Sequence, residues 1–477
     1  MATDLSSLDT TAWDLLIVGG GTAGLPAAIA AADTGKRVLL VEKADELGGT
    51  LHVSGGQMSA GGTRIQARHG ITDSPEAHLA DIERMTTDVP DMALVRRAVE
   101  EAPGTIDWLD DLGFVFDDAC PAASHFNVHD PYSAPRVYWG PRFGASILEV
   151  LLPEMGRVGD RVTVATATEL VDLATEGGSV TGAVLRQQQA TASVHASAVL
   201  LATGGYGAAP ELFEELSGYR LVSAAMPTST GDGIRLARER VDAALRASRL
   251  SLPTFGGFED PAHEHVALPW DQWPVLTPQL RAPWEIFVNL EGERFIREDE
   301  PDVHTREHAL RQQPATTFWV VTDTHARRSS PPLVPAWSDQ ELEDRTAEGE
   351  VVVRADTLEE LATATGVPAA TLIATVEDYN QGVAAGHDRL GRQHLPAALE
   401  QPPYTAIRNH ATTLRTHAGV AVDEDLRVLS EPGTPVDGLF AAGEVLGGVS
   451  MSGDGFAAGM SVTPALALGR WAGRVLG

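Results

Sequence analysis

At the start of the chain the apolar positions fall in short unbroken runs. DLLIV, from Asp14 to Val18, and RVLLVEK, from Arg37 to Lys43, each read as a strand buried on both faces. Between them stand GGGTAG and the alanine-rich LPAAIAAADTG, which predicts a helix up to Gly35 and makes the stretch a βαβ unit. RVTVATATEL and VTGAVLRQQQATASVHA alternate as antiparallel strands do, and SAVLLATGGYG reads as another buried strand ending in a glycine turn. Past Val241 the character changes, with LPWDQWPVLTP and SSPPLVPAW marking a stretch richer in Pro, Trp and His. DTLEELATATGVPAATLIATVEDYNQGV predicts amphipathic helix split at Gly366–Pro368. From about Tyr404 the β-rich pattern returns, and PVDGLFAAGEV reads as one more strand of the first unit. The expectation is an α/β fold: a discontinuous Rossmann-like domain of residues 1–245 and 401–477, with an inserted α+β capping domain at 246–400.

Bulk properties narrow this picture. At 477 residues the chain exceeds what one hydrophobic core usually supports, which agrees with two domains. A formal charge of −31 repels nucleic acid phosphate and anionic membranes, so neither is an expected partner. The single cysteine, Cys120, excludes an internal disulfide, a four-thiolate cluster and a CxxCH haem attachment. MATDLSSLDTTAWDLLIVGG has no basic n-region and no long apolar stretch, so neither a secretory signal nor a membrane span is expected, and the location expected is the cytoplasm.

Two glycine-rich stretches carry candidate chemistry. Gly19, Gly21 and Gly24 make GxGxxG after a strand and at the opening of a helix, and the acid Glu42 ends the next strand. Glycine there lets backbone approach a pyrophosphate, whose charge meets the helix N-terminus, while Glu42 accepts hydrogen bonds from the ribose hydroxyls of an adenosine. The bland alternative is a tight turn and nothing more. The second stretch, AAGEVLGGVSMSGDGFAAGM from Ala441 to Met460, has two acids, Glu444 and Asp454, and no basic residue. It has the look of a loop against a ligand. Past Glu42, KADELGGTLHVSGGQMSAGG adds a glycine-rich run for which an NAD-binding domain has no use.

With these motifs the chain resembles the fumarate reductase/succinate dehydrogenase flavoprotein family. The likeness is to its soluble bacterial branch, which includes ketosteroid dehydrogenases, urocanate reductase and tricarballylate-type dehydrogenases. It rests on DLLIVGGGTAG, VEK with LGGTLHVSGG, SAVLLATGGYG, STGDGIRLA, IFVNLEGERFIRE, GLFAAGEVLGG and LALGRWAG, in the family's order over nearly the whole chain. The resemblance implies that the Rossmann-like domain binds FAD. It implies contacts at Gly19, Gly21, Thr22, Ala23, Gly24, Glu42, Lys43, Gly48, Gly49, Thr50, Ser54, Gly55 and Gly56. Thr203, Gly204, Gly205 and Asp232 would lie at the adenosine half, and Gly443 and Glu444 at the ribityl chain. Backbone at Gly459, Ser461 and Val462 would meet the flavin ring at a helix N-terminus. The histidine that attaches FAD covalently in membrane-complex members corresponds to Gly49, with His52 out of place, so the resemblance implies non-covalent FAD. A second Rossmann fingerprint and a CxxxxC pair are both absent from the sequence, so electrons are expected to leave to an external acceptor.

On the substrate side this chain departs from the family's dicarboxylate reducers. Their anchors are a histidine in HPT, a histidine before TxGG, an arginine in the C-terminal loop and a proton-delivering arginine after RFxNE. At or near those positions stand Leu252, Arg415, Asp454 and Asp302, with Arg306 one turn on. A second substrate carboxylate would be desolvated without a cation, so a substrate with a carbonyl or a single carboxylate is expected. Arg415 is the candidate to pair with that carboxylate or polarise the carbonyl, with a surface arginine as the bland alternative. Arg306, in HTREHAL, is a candidate proton donor or a helix salt bridge. Tyr138, in PRVYWGPRFG, is a candidate to donate to the carbonyl or take the α-proton, or else a core tyrosine. Trp139, Trp270, Trp273 and Trp284 either wall a ring-shaped substrate or pack. His263, Glu264 and His265 read as a solvated loop, so no metal is expected, and Arg294 with Glu298 reads as an internal ion pair. The leading expectation is dehydrogenation of a cyclic ketone or oxo-acid, by hydride transfer to flavin N5 from the CH–CH bond next to its carbonyl or carboxylate. An enoate- or fumarate-type reductase running the other way, and a non-catalytic flavin-binding relative, are the alternatives.

Overall fold

A computed structural model describes residues 5, 8, 12–86, 89, 91–124, 131–220, 222–246, 253–413, 415–431 and 433–476. Leu252 lies outside the described residues. Trp13–Val18 pairs in parallel with Val38–Val41 on one side and Ala190–Leu201 on the other, which buries both faces of its apolar run. The parallel series continues outward to Val162–Ala165 at one end and Thr434–Ala441 at the other, with Arg427–Ser430 antiparallel at that second edge. Glu169–Glu176 and Ser179–Gln187 extend Ala190–Leu201 as antiparallel partners. The helix Gly24–Asp33 is buried along all but its last residue, as an alanine-rich helix apolar on every side must be, and it packs against Val462–Val475.

A second sheet is antiparallel throughout, in the order Ile286–Asn289, Thr317–Thr322, Tyr404–His410, Val352–Ala355. Its strands send alternate residues into two separate cores. Phe287, Phe318, Val320, Val352 and Ile407 join Phe255 and Leu310 on one face. Ile286, Val288, Trp319, Val321, Val353 and Ala406 join Leu361, Leu372 and Tyr379 on the other. Tyr404–His410, which the sequence reading joined to the first unit, completes this second sheet, pairing with Thr317–Thr322 from Thr405 to His410. Alternation alone says that a strand exists and leaves open which sheet receives it.

Beside that sheet four charges are folded inside together. Arg294 Nε and Nη2 meet Glu298 Oε1 and Oε2 at 2.8 and 2.6 Å, Arg294 Nη1 meets Asp388 Oδ1 at 2.6 Å, and Arg392 Nη1 reaches Glu298 Oε2 at 2.9 Å. All four side chains are buried, so each charge depends on the others. The expected Arg294–Glu298 pair is thus one edge of a larger set.

Candidate functional site

A cavity of about 350 Å³ opens where the parallel strands end. The loops after Val18, Val41, Leu201 and Ala441 all face it, each at the carboxyl end of its strand. Gly19, Gly21, Thr22, Ala23, Glu42, Lys43, Gly49, Thr50, Ser54, Gly55 and Gly56 line it. So do Thr203, Gly204, Asp232, Gly443, Glu444, Gly459, Ser461 and Val462, joined by Arg415. Three expected cofactor residues stand behind this wall. A Cβ on Gly24 would lie 1.8 Å from the Gly19 carbonyl oxygen, so its role is to let the helix close on the strand. Gly48 backs onto His52, and Gly205 onto Thr416 and Glu444.

One end of the cavity carries groups that could hold a nucleotide. Glu42, at the close of its strand, takes the Gly20 N–H on one carboxylate oxygen and the Ala44 N–H on the other, both at 2.8 Å. That grip fixes the carboxylate and leaves it acceptor capacity for hydroxyl groups. The helix Gly24–Asp33 begins without a side-chain cap and with no acid in its first turn, so its N-terminus suits an anion. Thr203 Oγ1 is buried without a hydrogen-bond partner, on a residue that lines the cavity. Lys43 Nζ is held by Asp232 Oδ2 at 2.7 Å, so the two charges answer each other.

The other end gathers side chains from distant parts of the chain. Ser59 N–H donates to Thr463 Oγ1 at 2.7 Å across 404 residues, fastening the start of the terminal helix beside the glycine loop. Glu444 Oε1 receives the Thr416 N–H at 2.8 Å and the Thr416 hydroxyl at 3.0 Å. Burial pushes the Glu444 carboxyl up, and the Thr416 donors and Arg415 hold it back. Arg415 Nη1 donates to Ser461 Oγ at 3.1 Å. Against this wall lies the helix Val303–Arg311, where His304 Nε2 accepts the Phe456 N–H at 3.1 Å.

Several expected residues take other positions. Asp302, where the dicarboxylate reducers have their proton-delivering arginine, caps that helix by accepting the Thr305 N–H at 2.9 Å and its hydroxyl at 2.6 Å. Arg306 is buried over the Phe255 ring, 4.7 Å from its centroid, and is not among the cavity-lining residues; burial pulls its pKa down to about 10. Tyr138 is fully buried with its hydroxyl 2.8 Å from Thr63 Oγ1, and it too stands away from the lining. None of Trp139, Trp270, Trp273 and Trp284 lines the cavity; Trp139 is core, and Trp270 packs edge-on against Phe143. His52 bonds to the Leu47 carbonyl, and His263 pairs with Asp260. Asp454 is buried and is not among the cavity-lining residues.

One residue that the sequence reading passed over, His304, meets this end of the site through Phe456. His304 and Glu307 share one face of Val303–Arg311 with Arg311. Glu307 lies within the fields of Arg415 and Arg306, and burial pushes its carboxyl up to about 8. The available signal was the i, i+3, i+7 spacing of three polar residues, which marks a shared face without saying what that face meets.

The chain matches a family model described as an FAD binding domain over residues 14–459. It is 31% identical over 472 residues to a probable fumarate reductase of Shewanella frigidimarina, covering 96% of this chain and 74% of that protein. The open conformation of a flavocytochrome c3 fumarate reductase is similar at a TM-score of 0.75 and 28% identity, over 98% of this chain and 78% of that one. A 3-ketosteroid Δ1-dehydrogenase of Sterolibacterium denitrificans shares the fold at a TM-score of 0.78 and 24% identity, over 97% and 99% of the two chains.

Proposed function

The chain belongs to the FAD-binding-domain family of flavin-dependent dehydrogenases and reductases of CH–CH groups, and from that premise we propose that it dehydrogenates a cyclic ketone or oxo-acid beside its carbonyl or single carboxylate. One observation carries the substrate reading. Among the described residues, the basic side chains lining the cavity are Lys43 and Arg415, and Lys43 is held by Asp232, which leaves one guanidinium for substrate. One guanidinium suits one carboxylate or a polarised carbonyl; a second carboxylate would be buried unpaired.

FAD fits the residues present, because Glu42, the open helix N-terminus and the unpartnered Thr203 hydroxyl form a cradle for the adenosine and pyrophosphate. When bound, FAD supplies a two-electron hydride acceptor. In this reading it is held without a covalent bond, with Glu42 accepting from the ribose and Glu444 facing the ribityl chain. Arg415 orients the substrate and draws electron density toward its oxygen. The N-terminus of Val462–Val475 directs positive potential at the same end. Residues 246–400 serve as the cap, and the strand pairing of Tyr404–His410 favours its return near residue 411. An external acceptor takes the electrons away. Among the described residues no helix is long and apolar enough to cross a membrane.

Reduction of an enoate is the second reading, and the 31% identity to a probable fumarate reductase favours it. Anaerobic mixing of the holoprotein with a panel of substrates tests both. Flavin bleaching by cyclic ketones or oxo-acids and not by succinate is expected. Bleaching by succinate alone overturns the proposal. Reoxidation of reduced flavin by enoates, with no bleaching by any saturated compound, selects the reductase.

A further inference from the structure

Among the described residues, Thr254 is the one residue of 246–400 that lines the cavity, so it marks the border on that side. Its N–H donates to the Thr412 carbonyl at 2.7 Å and its carbonyl accepts the Thr412 N–H at 3.2 Å, just before Arg415 in the chain. Arg415 Nη1 reaches Ser461 Oγ on the C-terminal loop. The helix Val303–Arg311 touches that loop a little earlier, where His304 Nε2 accepts the Phe456 N–H at 3.1 Å.

Phe456 itself lines the cavity, and among the described residues it is the one aromatic ring that does. Part of it packs on the main core. From Val449 to Met460 every other residue is buried, while Phe456 keeps some of its surface open. The loop cannot draw the ring further in. A Cβ on Gly455 would lie 2.8 Å from the Thr86 Cα, and one on Gly459 would lie 2.5 Å from the Met58 carbonyl carbon. The Tyr132 hydroxyl donates to the Ala458 carbonyl at 2.7 Å. Backbone is thus packed tight on both sides of Phe456, and His304 holds its N–H. A ring fixed before a ligand arrives loses little entropy on becoming a contact surface.

We propose that Phe456 is a specificity-determining residue, whose ring carries the apolar body of a substrate that meets Arg415 through its carboxylate or carbonyl. The site then selects ring-bearing monoacids and ketones over short-chain ones. This rests on the reading above that Arg415 meets the substrate. One cation beside one apolar wall suits a ligand that is polar at one end only. The four tryptophans expected as walls stand away from the lining, so the ring contact falls to Phe456. Apolar area that the ligand and the ring bury together is the source of the preference.

Isothermal calorimetry of the oxidised holoprotein with cyclohexanecarboxylate and with propanoate tests this. Both acids offer Arg415 one carboxylate, and only the first has a ring. Wild type is expected to bind cyclohexanecarboxylate about tenfold or more tightly than propanoate. Phe456→Ala should lower that preference about tenfold by weakening the ring compound alone. If the Ala variant fails to retain FAD, Phe456→Leu decides, with a loss of about threefold expected. No preference in wild type, an unchanged preference in the deciding variant, equal weakening of both acids by it, or no binding of cyclohexanecarboxylate each overturns the inference. Arg415→Ala should weaken both acids and leave the preference between them. The flavin-bleaching panel is a separate readout, so failure of the dehydrogenase reading leaves a measured ring preference intact.

Discussion

The two ends of the cavity are built on different principles. At the nucleotide end, contiguous backbone does the holding: a strand end, a glycine turn and a helix start supply N–H groups, and the charged side chains are already answered, Glu42 by two backbone donors and Lys43 by Asp232. At the other end, separate elements meet, the helix Val303–Arg311 through His304 and the segment carrying Arg415, and among the described residues the Arg415 guanidinium has no ion-pair partner. A site that must only hold can have its charges closed, and a site that must respond to a substrate keeps some of them open.

Four substitutions test that contrast. The largest effect is expected from Gly24→Ala, because the added Cβ would lie 1.8 Å from the Gly19 carbonyl oxygen with no flexible neighbour to yield. It should lower stability by about 3 kcal/mol and strip FAD from the purified protein, read as melting temperature and flavin absorbance per protein. Retained flavin at wild-type stability would refute the backbone account of that end. Arg415→Ala should leave flavin content normal and cut turnover about a hundredfold on the best compound of the panel. Near-normal turnover would remove Arg415 from substrate contact. Glu42→Gln should weaken FAD about tenfold, measured by reconstitution of the apoprotein, because a charged acceptor becomes a neutral one. Tyr138→Phe should cost about 1 kcal/mol of stability, from the lost bond to Thr63, with turnover unchanged. A turnover defect there would return Tyr138 to the catalytic candidates.

A fifth test concerns pH. The folded Glu307 carboxyl is raised to about 8 against an ordinary value of about 4.3, so the folded chain holds a proton that the unfolded chain releases. Its stabilising share is present in full below the unfolded value and is lost as pH rises through the folded one. Glu307→Gln removes that loss. Its melting temperature should therefore gain on wild type by a few degrees between about pH 5 and about pH 9. A constant difference across that range would mean that the carboxyl titrates normally.

The same contrast decided what the sequence could reveal. GxGxxG, Glu42 and the glycine run at 48–56 are local, and a strand, a turn and a helix in succession dictate where they lie. The family likeness then extended the FAD framework over nearly the whole chain, and the matched model supports it. The second-sheet strands IFVN and TFWVVT were harder, because their side chains enter two cores and show no one-sided alternation. Tyr138 was weighed as a site residue for its hydroxyl and the four tryptophans as walls for a ring-shaped substrate, yet large rings fill cores by default. Glu307 was hidden in HTREHAL among other titratable groups. Nothing local says that this face of the helix meets the loop at Phe456.

The hydrogen bond from Ser59 to Thr463 has a consequence for how the protein is made. Its partners lie 404 residues apart, and the strand Thr434–Ala441 flanks Ala190–Leu201 in the main sheet. At ordinary ribosomal speeds that separation is about 20–80 s of synthesis, during which the early strands exist and the far wall of the cavity does not. The nascent sheet meanwhile presents an open parallel edge, the situation in which chaperones are most needed. On the proposed reading of the cavity as the FAD site, flavin loading then has to wait for the far wall, which is synthesised last.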